Sequence, residues 1–398
     1  MANSNPQGYS QSDPQSEVFV LGAARTPIGS FQGALASLTA PELGAHAINA
    51  ALGHAGLAGE QINEVIFGNV LSAGLKQAPA RQAMRIAGLP DATGATTINK
   101  VCGSGMKATM LAIDLIRAGS ADYVISGGME SMTNAPYLMA KARAGVRMGH
   151  TELKDSMFFD GLEDAETGRS MGTFAQDTAD QFQLTREDMD AFAIESVNRA
   201  RNAIAEGMLR DEIAPIEIRD AEVADDEQPG RAKLERIPTL RAAFKEGGSI
   251  TAANSSSISD GASALVIGGA AANNGTPLAR IVGHTTHSQH PSEFTIAPVG
   301  AIGKLLDRLG WQAQEVDLFE INEAFAMVTM LAIRELGLDP QRVNIYGGAC
   351  AQGHPIGSTG SRLIVTLAHA MRRLGKQRGI AALCIGGGEA TAIALESV

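Results

Sequence analysis

Two stretches of the sequence, far apart in the chain, end an apolar run in the same way. Residues 123–125 run into Gly127 and Gly128, and residues 381–385 run into the triplet 386–388; a glutamate follows each. Apolar runs that end in glycine are typical of buried strands closed by turns. The elements around both stretches come in the same order, so we interpret the chain as two copies of one unit. Chance resemblance between glycine-rich strand ends is the alternative.

The elements in each copy alternate between helix and strand. Residues 18–21, 65–67 and 316–319 are short apolar runs that predict strands, and helical spacing of apolar residues covers 106–118. Pro41 opens another predicted helix, and a glycine-rich turn at 357–360 opens one from Arg362 to about Leu374. This alternation predicts the α/β class.

The composition narrows the function. The chain has 398 residues, 44% of them hydrophobic, which is enough for a large core. Its net charge is −11, and it has 1 Trp and 4 Tyr, so neither a basic surface nor aromatic platforms for nucleic acid are indicated. We therefore expect no nucleic-acid partner.

The cysteines and the N-terminus indicate a compartment. The three cysteines, Cys102, Cys350 and Cys384, are widely spaced and suggest neither disulfides nor a zinc site. Residues 1–17 are polar and resemble neither a signal nor a transit peptide, and no apolar run is long enough to span a bilayer. We expect a cytoplasmic protein with a short flexible tail and no membrane partner.

The middle of the chain differs from both copies. Residues 131–250 are rich in charge, and Thr185 predicts the N-cap of a helix that continues through Asn202. This stretch is interpreted as an insertion, and most of its charges are expected to lie on a solvated face.

Cys102 is a candidate nucleophile. It lies in the segment 99–105, directly before a predicted helix and next to glycines. The positive end of the helix dipole favours the thiolate and is expected to lower the pKa of the thiol. A small core residue is the alternative interpretation of Cys102, and position alone does not separate the two.

Three further residues that can assist a thiol occupy comparable positions. His354 lies in a turn between glycines and is a candidate base. Cys384 ends an apolar strand beside a glycine turn whose amides can form an oxyanion hole. Asn322 follows a strand and can hold a water or a carbonyl oxygen, although Asn there is often only a turn former. Sites of α/β folds lie at such strand ends.

The motifs around these residues resemble those of the thiolase family. The matching segments, which appear in family order from about residue 18 to the end, are 24–29, 99–105, 127–132, 322–326, 347–348 with 353–357, and 384–388. The resemblance implies a duplicated, five-layered α/β/α/β/α core with an inserted loop domain. It places an N-terminal half at 18–130 and 251–272, a loop domain for coenzyme A binding and oligomerisation at 131–250, and a C-terminal half at 273–398.

The resemblance also implies acyl transfer to coenzyme A through an acyl-cysteine. Cys102 matches the nucleophile, His354 its base, Cys384 the second acid/base, and Asn322 the residue that holds an oxyanion-hole water. The amides of Cys102 and Gly386 match a second oxyanion hole. Substrate and coenzyme A contacts are implied for Leu162, Met171, Arg231, Phe244, Ala252, Ser256, Ala324 and Phe325. Coenzyme A thioesters are then the substrates, and no cofactor or metal is expected.

The implied reaction is the reversible Claisen condensation of two acetyl-CoA to acetoacetyl-CoA, in a homotetramer built as a dimer of dimers. Residues 137–162 resemble the short-chain members, and Met157, Phe158 and Phe159 are expected to limit the acyl pocket. Three positions depart from the family pattern and bear on acyl preference or reactivity: Ser170, Cys350 and Gln352.

Three other functions compete with this one. A condensing enzyme of fatty-acid or polyketide synthesis pairs its cysteine with two histidines, which Asn322 and Cys384 argue against. A non-catalytic module that binds coenzyme A or lipid would not need the four candidate catalytic residues. A 3-ketoacyl-CoA thiolase for longer chains, acting in β-oxidation, differs only in pocket shape.

Overall fold

The computed structural model describes residues 17–270 and 276–398, so the expected flexible tail lies outside the described residues except for Glu17. The strands are β1 (Val18–Arg25), β2 (Gly29–Ser30), β3 (Glu64–Gly68), β4 (Gly94–Ile98), β5 (Tyr123–Ser131), β6 (Tyr137–Leu138), β7 (Lys154–Asp155), β8 (Ile216–Ile218), β9 (Ala221–Val223), β10 (Ser259–Gly269), β11 (Ala279–Ser288), β12 (Leu318–Ile321), β13 (Arg378–Ile385) and β14 (Glu389–Glu396). The helices are α1 (Ala40–Ala55), α2 (Pro79–Ile86), α3 (Ser104–Arg117), α4 (Ser156–Gly161), α5 (Met171–Gln181), α6 (Arg186–Ala205), α7 (Glu227–Arg231), α8 (Ala297–Leu309), α9 (Ala326–Leu336), α10 (Ala349–Gln352) and α11 (Thr359–Leu374).

The two copies each contribute one half of a mixed sheet. Its strand order is β12-β13-β14-β11-β1-β10-β5-β3-β4, so the first four strands come from the second copy, and β2 is appended to β10. The halves meet where β1 pairs antiparallel with β11 over Val18 to Val20. In the first half β3 lies parallel to both β4 and β5, and in the second half β12 lies parallel to β13. The parallel pairs bring the ends of β4, β5, β12 and β13 to equivalent places in the two halves.

The strands bury both of their faces, which produces the layers. Val124 of β5 packs into a cluster with α3 and α11, whereas its neighbour Ile125 packs with α1 and α2. In β13, Leu383 faces the α3–α11 layer and Ala382 faces α8 and α9. Successive side chains of a strand point to opposite faces, so each half of the sheet lies between two helical layers. The expected five-layered α/β/α/β/α arrangement is confirmed, with α3 and α11 in the centre.

Strand β5 is longer than the sequence indicates. We expected Gly127 and Gly128 to close it, but β5 continues to Ser131 and pairs with β10 along its whole length. A Cβ atom at Gly127 would collide with the carbonyl oxygen of Ser263, and one at Gly128 with that of Gly357. These glycines therefore permit close packing inside a strand and do not form a turn.

Helix boundaries also differ from the expectation by a few residues. Helix α3 begins at Ser104, which shortens the gap between Cys102 and the helix, and α11 begins at Thr359. Helix α6 has the predicted N-cap, since the hydroxyl of Thr185 accepts from the amide of Asp188 at 3.1 Å. The helix continues to Ala205.

Residues 131–250 lie apart from the sheet. They form two-stranded β6–β7 and β8–β9 and the helices α4 to α7, and after Ser131 none of their strands joins the central sheet. Helix α6 packs on α9 and α10 of the second copy. Among the described residues, no helix has both the length and the apolar character to cross a bilayer.

Candidate active site

The loop between β4 and α3 presents Cys102. Asn99 accepts a hydrogen bond from the amide of Val101 through Oδ1 at 2.9 Å, and Ser104 donates to the Val101 carbonyl at 2.7 Å. These bonds hold Val101 at a φ of 47°, a left-handed conformation that is costly for a β-branched residue. The strained turn sets the direction in which the next residue, Cys102, points.

Two amides point at the sulfur of Cys102. Its own N–H and that of Gly386, which follows β13, both donate to the thiol. Lys100 secures this arrangement, because its ammonium lies 2.5 Å from Glu389 at the start of β14. The predicted pairing of Cys102 and Gly386 amides is therefore present in the geometry, and an oxyanion formed at this point would meet both donors.

Burial determines the protonation state of the thiol. It raises the pKa of Cys102 to about 11, while the two amide donors act in the opposite direction. Our expectation that the helix dipole lowers this pKa is wrong for the resting site. The cavity around the sulfur is largely apolar, and the cost of removing a thiolate from water outweighs the helix terminus. Cys102 is thus a neutral thiol that needs a base.

His354 is a neutral imidazole with one nitrogen free. Burial, together with the charge of Arg362, lowers the pKa of His354 to about 3. Its Nδ1 lies 2.6 Å from the hydroxyl of Thr359, and that hydroxyl donates to the carbonyl of Pro355 at 3.0 Å. The hydroxyl must then accept from Nδ1–H, which leaves the lone pair on Nε2. His354 can accept a proton only through Nε2.

Asn322 lies beside this free nitrogen. Its backbone extends the β12–β13 ladder, because the Asn322 amide donates to the carbonyl of Ala382 at 3.0 Å. Its Nδ2 lies 3.5 Å from Nε2 of His354, a long contact that a substrate oxygen or a water can replace. The structure thus brings together the two residues that the sequence suggested for one oxyanion hole.

Cys384 lies deeper than the other candidates. It occupies β13 two residues before Gly386, is fully buried, and pairs in register with Ala390 of β14. Burial and the proximity of Cys102 raise the pKa of Cys384 well above the usual thiol value. A thiol in this state can donate a proton, and it can remove one only after it has lost its own.

Glu130 holds two loops of the site together. This buried carboxylate accepts from the amides of Val70 at 3.0 Å, Leu71 at 3.1 Å and Gly357 at 2.9 Å, and from Nδ2 of Asn69 at 2.8 Å. Burial raises the pKa of Glu130 to about 7, against the pull of these donors. The carboxylate thereby ties the loop after β3 to the loop that carries His354.

A cavity of about 370 Å³ adjoins the thiol, and Cys102, His354 and Gly386 are among the residues that line it. Seven of the eight predicted substrate contacts line it as well: Leu162, Met171, Phe244, Ala252, Ser256, Ala324 and Phe325. Its walls are mostly apolar, with serine hydroxyls at 255–257. A long, narrow substrate with few polar groups suits such a cavity.

Other predicted residues lie elsewhere. Arg231 does not line the cavity, and its exposed guanidinium pairs with Glu227 at 2.7 Å. Phe158 lines the cavity, but Met157 packs in a neighbouring core cluster. Phe159 is exposed, and its ring lies 4.1 Å from the ammonium of Lys154. Of these three bulky residues, only Phe158 can limit the acyl group directly.

The three departures from the family pattern have different surroundings. Ser170 lines the cavity at the start of α5. Gln352 is buried and donates to the carbonyl of Tyr346 at 3.3 Å. The thiol of Cys350 lies 3.7 Å from the carbonyl of Glu323. Neither Gln352 nor Cys350 lines the cavity.

Sequence reasoning missed several residues that shape the site. Glu130 and the Lys100–Glu389 pair join segments far apart in the chain, and Thr359 contacts His354, five residues earlier. Glu130 lies inside the segment 127–132 and Thr359 inside the glycine-rich turn 357–360, and that membership is the signal the sequence offers.

Comparison with known proteins agrees with the geometry. Residues 18–270 match the model of the thiolase N-terminal domain, and residues 275–397 that of the thiolase C-terminal domain. The chain is 47% identical over 388 residues to an acetyl-CoA acetyltransferase of Pseudomonas aeruginosa, which covers 95% of this chain and 99% of that protein. It is 46% identical over 391 residues to an acetyl-CoA acetyltransferase of Schizosaccharomyces pombe, with 96% and 99% covered.

A solved structure shows the same fold. The Acat5 thiolase from Ascaris suum, crystallised in complex with coenzyme A, matches with a TM-score of 0.92 and 40% sequence identity. The match covers 96% of this chain and 100% of that one. Two matching domain models, close relatives along nearly the whole length and a common fold lead to one conclusion: the chain belongs to the thiolase family of acyltransferases.

Proposed function

We propose that the protein is an acetyl-CoA C-acetyltransferase, which condenses two acetyl-CoA to acetoacetyl-CoA and coenzyme A and also catalyses the reverse reaction. The observation that carries the proposal is the arrangement around Cys102. Its thiol lies in a substrate-sized cavity, meets two amide donors and shares the cavity with a neutral imidazole. The relatives named above are acetyl-CoA acetyltransferases, which supports the choice of acetyl groups.

The first half-reaction acylates the enzyme. Nε2 of His354 takes the proton of Cys102, and the thiolate attacks the thioester carbonyl. The amides of Cys102 and Gly386 stabilise the oxyanion, whose collapse expels the thiolate of coenzyme A. The leaving thiolate takes the proton of Cys384, which becomes a thiolate, while His354 keeps the proton of Cys102 on Nε2. The products are acetyl-Cys102 and coenzyme A.

The second half-reaction forms the carbon–carbon bond. The Cys384 thiolate removes a proton from the α-carbon of a second acetyl-CoA, and the enolate oxygen accepts hydrogen bonds from the protonated Nε2 of His354 and from a water on Asn322. The carbanion attacks the carbonyl of acetyl-Cys102, whose oxygen again faces the two amides. Acetoacetyl-CoA forms, the Cys102 thiolate leaves and takes the proton from Nε2 of His354, and Cys384 is again a neutral thiol. None of these steps calls for a metal or a cofactor.

The assembly and location are part of the proposal. The side chains of Tyr137, Met148 and Leu153, in the loop region, are 65%, 93% and 63% exposed, and such apolar exposure favours a homotetramer. All three cysteines are free thiols, which supports the cytoplasm. The acyl-CoA substrates proposed above support a role in fatty acid metabolism.

Steady-state assays test the activity. We expect thiolysis of acetoacetyl-CoA and its formation from acetyl-CoA, both abolished in Cys102→Ala. Higher catalytic efficiency with 3-ketooctanoyl-CoA than with acetoacetyl-CoA would instead identify a longer-chain thiolase. Binding of coenzyme A without turnover of either substrate would indicate a non-catalytic module.

A further inference from the structure

Helix α11 carries a polar stripe although nearly all of the helix is buried. The stripe begins at the residue that bonds His354 and ends at a surface ion pair with Asp211. Residues spaced by three or four lie on one face of a helix. The members of the stripe are Thr359, Arg362, Thr366, His369 and Arg373.

Strand β12 faces this helix with polar residues of its own. Helix α11 packs on β12, and the strand ladder continues to Asn322. Glu320 and Asn322 are two residues apart, so their side chains lie on the same face. Asn322 contacts His354 at 3.5 Å, and Glu320 lies 3.5 Å from Nη1 of Arg362. The ion pair therefore forms the next layer behind the catalytic pair.

The groups in this layer are buried without hydrogen-bond partners among the described residues. Arg362 is 2% exposed, yet its Nε, Nη1 and Nη2 all lack a partner there. Its 3.5 Å contact with Glu320 is too long and too poorly aligned to satisfy them. Some buried oxygens likewise lack a hydrogen-bond partner among the described residues: Glu212 Oε2, Glu320 Oε2, Asn322 Oδ1, Tyr346 Oη and Gln352 Oε1.

Electrostatics connects several of these groups. Arg362 interacts with Glu320 and Glu212, and Tyr346 interacts with both of those carboxylates. The charge of Arg362 also reaches His354, whose pKa it lowers. The layer is thus one polar cluster adjacent to the catalytic base. The other charged groups that act on Glu320 or Arg362 are Arg25, Asp226 and Glu323.

The charges in the cluster determine which kind of ligand can bond its unpaired polar atoms. Arg25 is already bonded to Glu212 at 2.6 Å and to Asp226 at 2.7 Å. It is therefore not free to pair with the carboxylate that faces Arg362. An anion would be repelled by Glu320 and Glu212, and a metal cation would meet guanidinium N–H groups that cannot bind it. Water both donates and accepts, and buried waters typically make about three such bonds.

We propose that ordered water fills the polar layer between β12 and α11, and that Glu320 and Arg362 are positioning residues which orient Asn322 and His354 through this water. The inference rests on the proposed acetyl transfer. Asn322 holds the water that contacts the enolate oxygen only if the orientation of its own side-chain amide is fixed. Its Oδ1 is one of the atoms without a partner among the described residues. The layer then acts on condensation more than on substrate binding.

A crystal structure of the wild-type protein gives the first test. We expect waters within about 3.2 Å of the Arg362 nitrogens and of Asn322 Oδ1. A structure in which protein groups alone satisfy all three Arg362 nitrogens would overturn the proposal. This readout does not depend on activity, so it remains decisive even if the wild-type protein fails to transfer acetyl groups.

Kinetics gives the second test. The double variant Glu320→Gln with Arg362→Met removes both charges and so avoids an unpaired buried ion. We expect kcat for condensation to fall about tenfold or more, with KM for acetyl-CoA within about twofold. Arg373→Met, at the surface end of the same stripe, is the matched control and should retain both constants.

Wild-type kcat in a folded double variant, or a change confined to KM, would refute the positioning role. Folding is checked by the thermal transition and the oligomeric state. If the double variant does not fold, Tyr346→Phe removes a single unpaired oxygen, and we expect it to lower kcat about threefold at unchanged KM. An unchanged kcat in Tyr346→Phe would then count against the proposal.

Discussion

Nδ1 of His354 lies 2.6 Å from the hydroxyl of Thr359, and this single contact fixes which nitrogen of the imidazole is the base. Because the hydroxyl of Thr359 donates its hydrogen bond to the Pro355 carbonyl, it can only accept one from the ring. The proton transferred from Cys102 must therefore go to Nε2. Thr359 belongs to the first turn of α11, so the helix itself holds the tautomer.

Removing this hydroxyl is expected to slow both half-reactions. Thr359→Val keeps the shape of the side chain but loses the acceptor, and we expect kcat to fall by about 10- to 100-fold. Thr359→Ser retains the hydroxyl and should stay within about threefold of wild type. Steady-state kinetics with acetoacetyl-CoA measures both variants. Equal activity of the two would show that the tautomer is fixed by something else.

The protonation state of Cys102 predicts a particular pH dependence. Because burial raises its pKa to about 11, the thiolate fraction rises tenfold with each pH unit across the neutral range. The rate of alkylation by iodoacetamide, mapped to the Cys102 peptide by mass spectrometry, should rise with unit slope from about pH 7 to pH 10. A plateau between pH 6 and 8 would reveal a thiolate–imidazolium pair and contradict this assignment.

Replacing Cys384 should separate the two half-reactions. With Cys384→Ala we expect acetylation of Cys102 by acetyl-CoA to persist, while condensation and thiolysis fall by about 1000-fold or more. Mass mapping locates the acetyl group, and spectrophotometry follows acetoacetyl-CoA. Cys350→Ala is the control, since that thiol does not line the cavity, and it should leave both steps intact. An acetyl group found only on Cys350 or Cys384 would contradict the assignment of the nucleophile.

The acyl-length limit is expected to depend on Phe158. Its side chain lines the cavity, whereas that of Phe159 stacks outside on Lys154. Phe158→Ala should raise the efficiency for 3-ketooctanoyl-CoA relative to acetoacetyl-CoA by roughly tenfold, because steric exclusion is relieved. Phe159→Ala should leave the ratio unchanged. Equal ratios in the two variants would place the limit elsewhere in the cavity.

The exposed loop region predicts the assembly. Met148 is 93% exposed, and in a tetramer its side chain would be covered by another subunit. We expect light scattering to show a tetramer, and Met148→Lys to weaken it toward dimers without loss of the thermal transition. A wild-type protein that remains monomeric at micromolar concentration would overturn this prediction.

Much of the fold could be predicted because it depends on local patterns. The apolar runs at 18–21 and 65–67 became strands, and the duplicated order correctly indicated two similar halves. Gly127 and Gly128 misled the prediction because glycine also serves where backbones approach closely, and the approaching partner, Gly357, is remote in the chain. A local pattern does not reveal such a partner.

The residues of the candidate site could be predicted from the sequence, but their pKa values could not. The helix after Cys102 is visible in the sequence, so a lowered pKa was the natural expectation. The desolvation that reverses it comes from cavity walls contributed by distant segments, among them Phe244 and Phe325. Thr359 and Arg362 follow His354 closely in the sequence, but only the folded loop and the first turn of α11 show that Thr359 contacts the ring and that the charge of Arg362 lowers its pKa.

The division of the proposed catalytic groups between the two halves has a consequence for the protein's biosynthesis. Cys102 belongs to the first copy, while Asn322, His354 and Cys384 belong to the second. As the chain leaves the ribosome, the thiol emerges long before the base that activates it. A truncated or half-translated chain therefore carries an ordinary cysteine, and thioesters in the cell meet a reactive one only after the last strands, β13 and β14, have been added to the sheet.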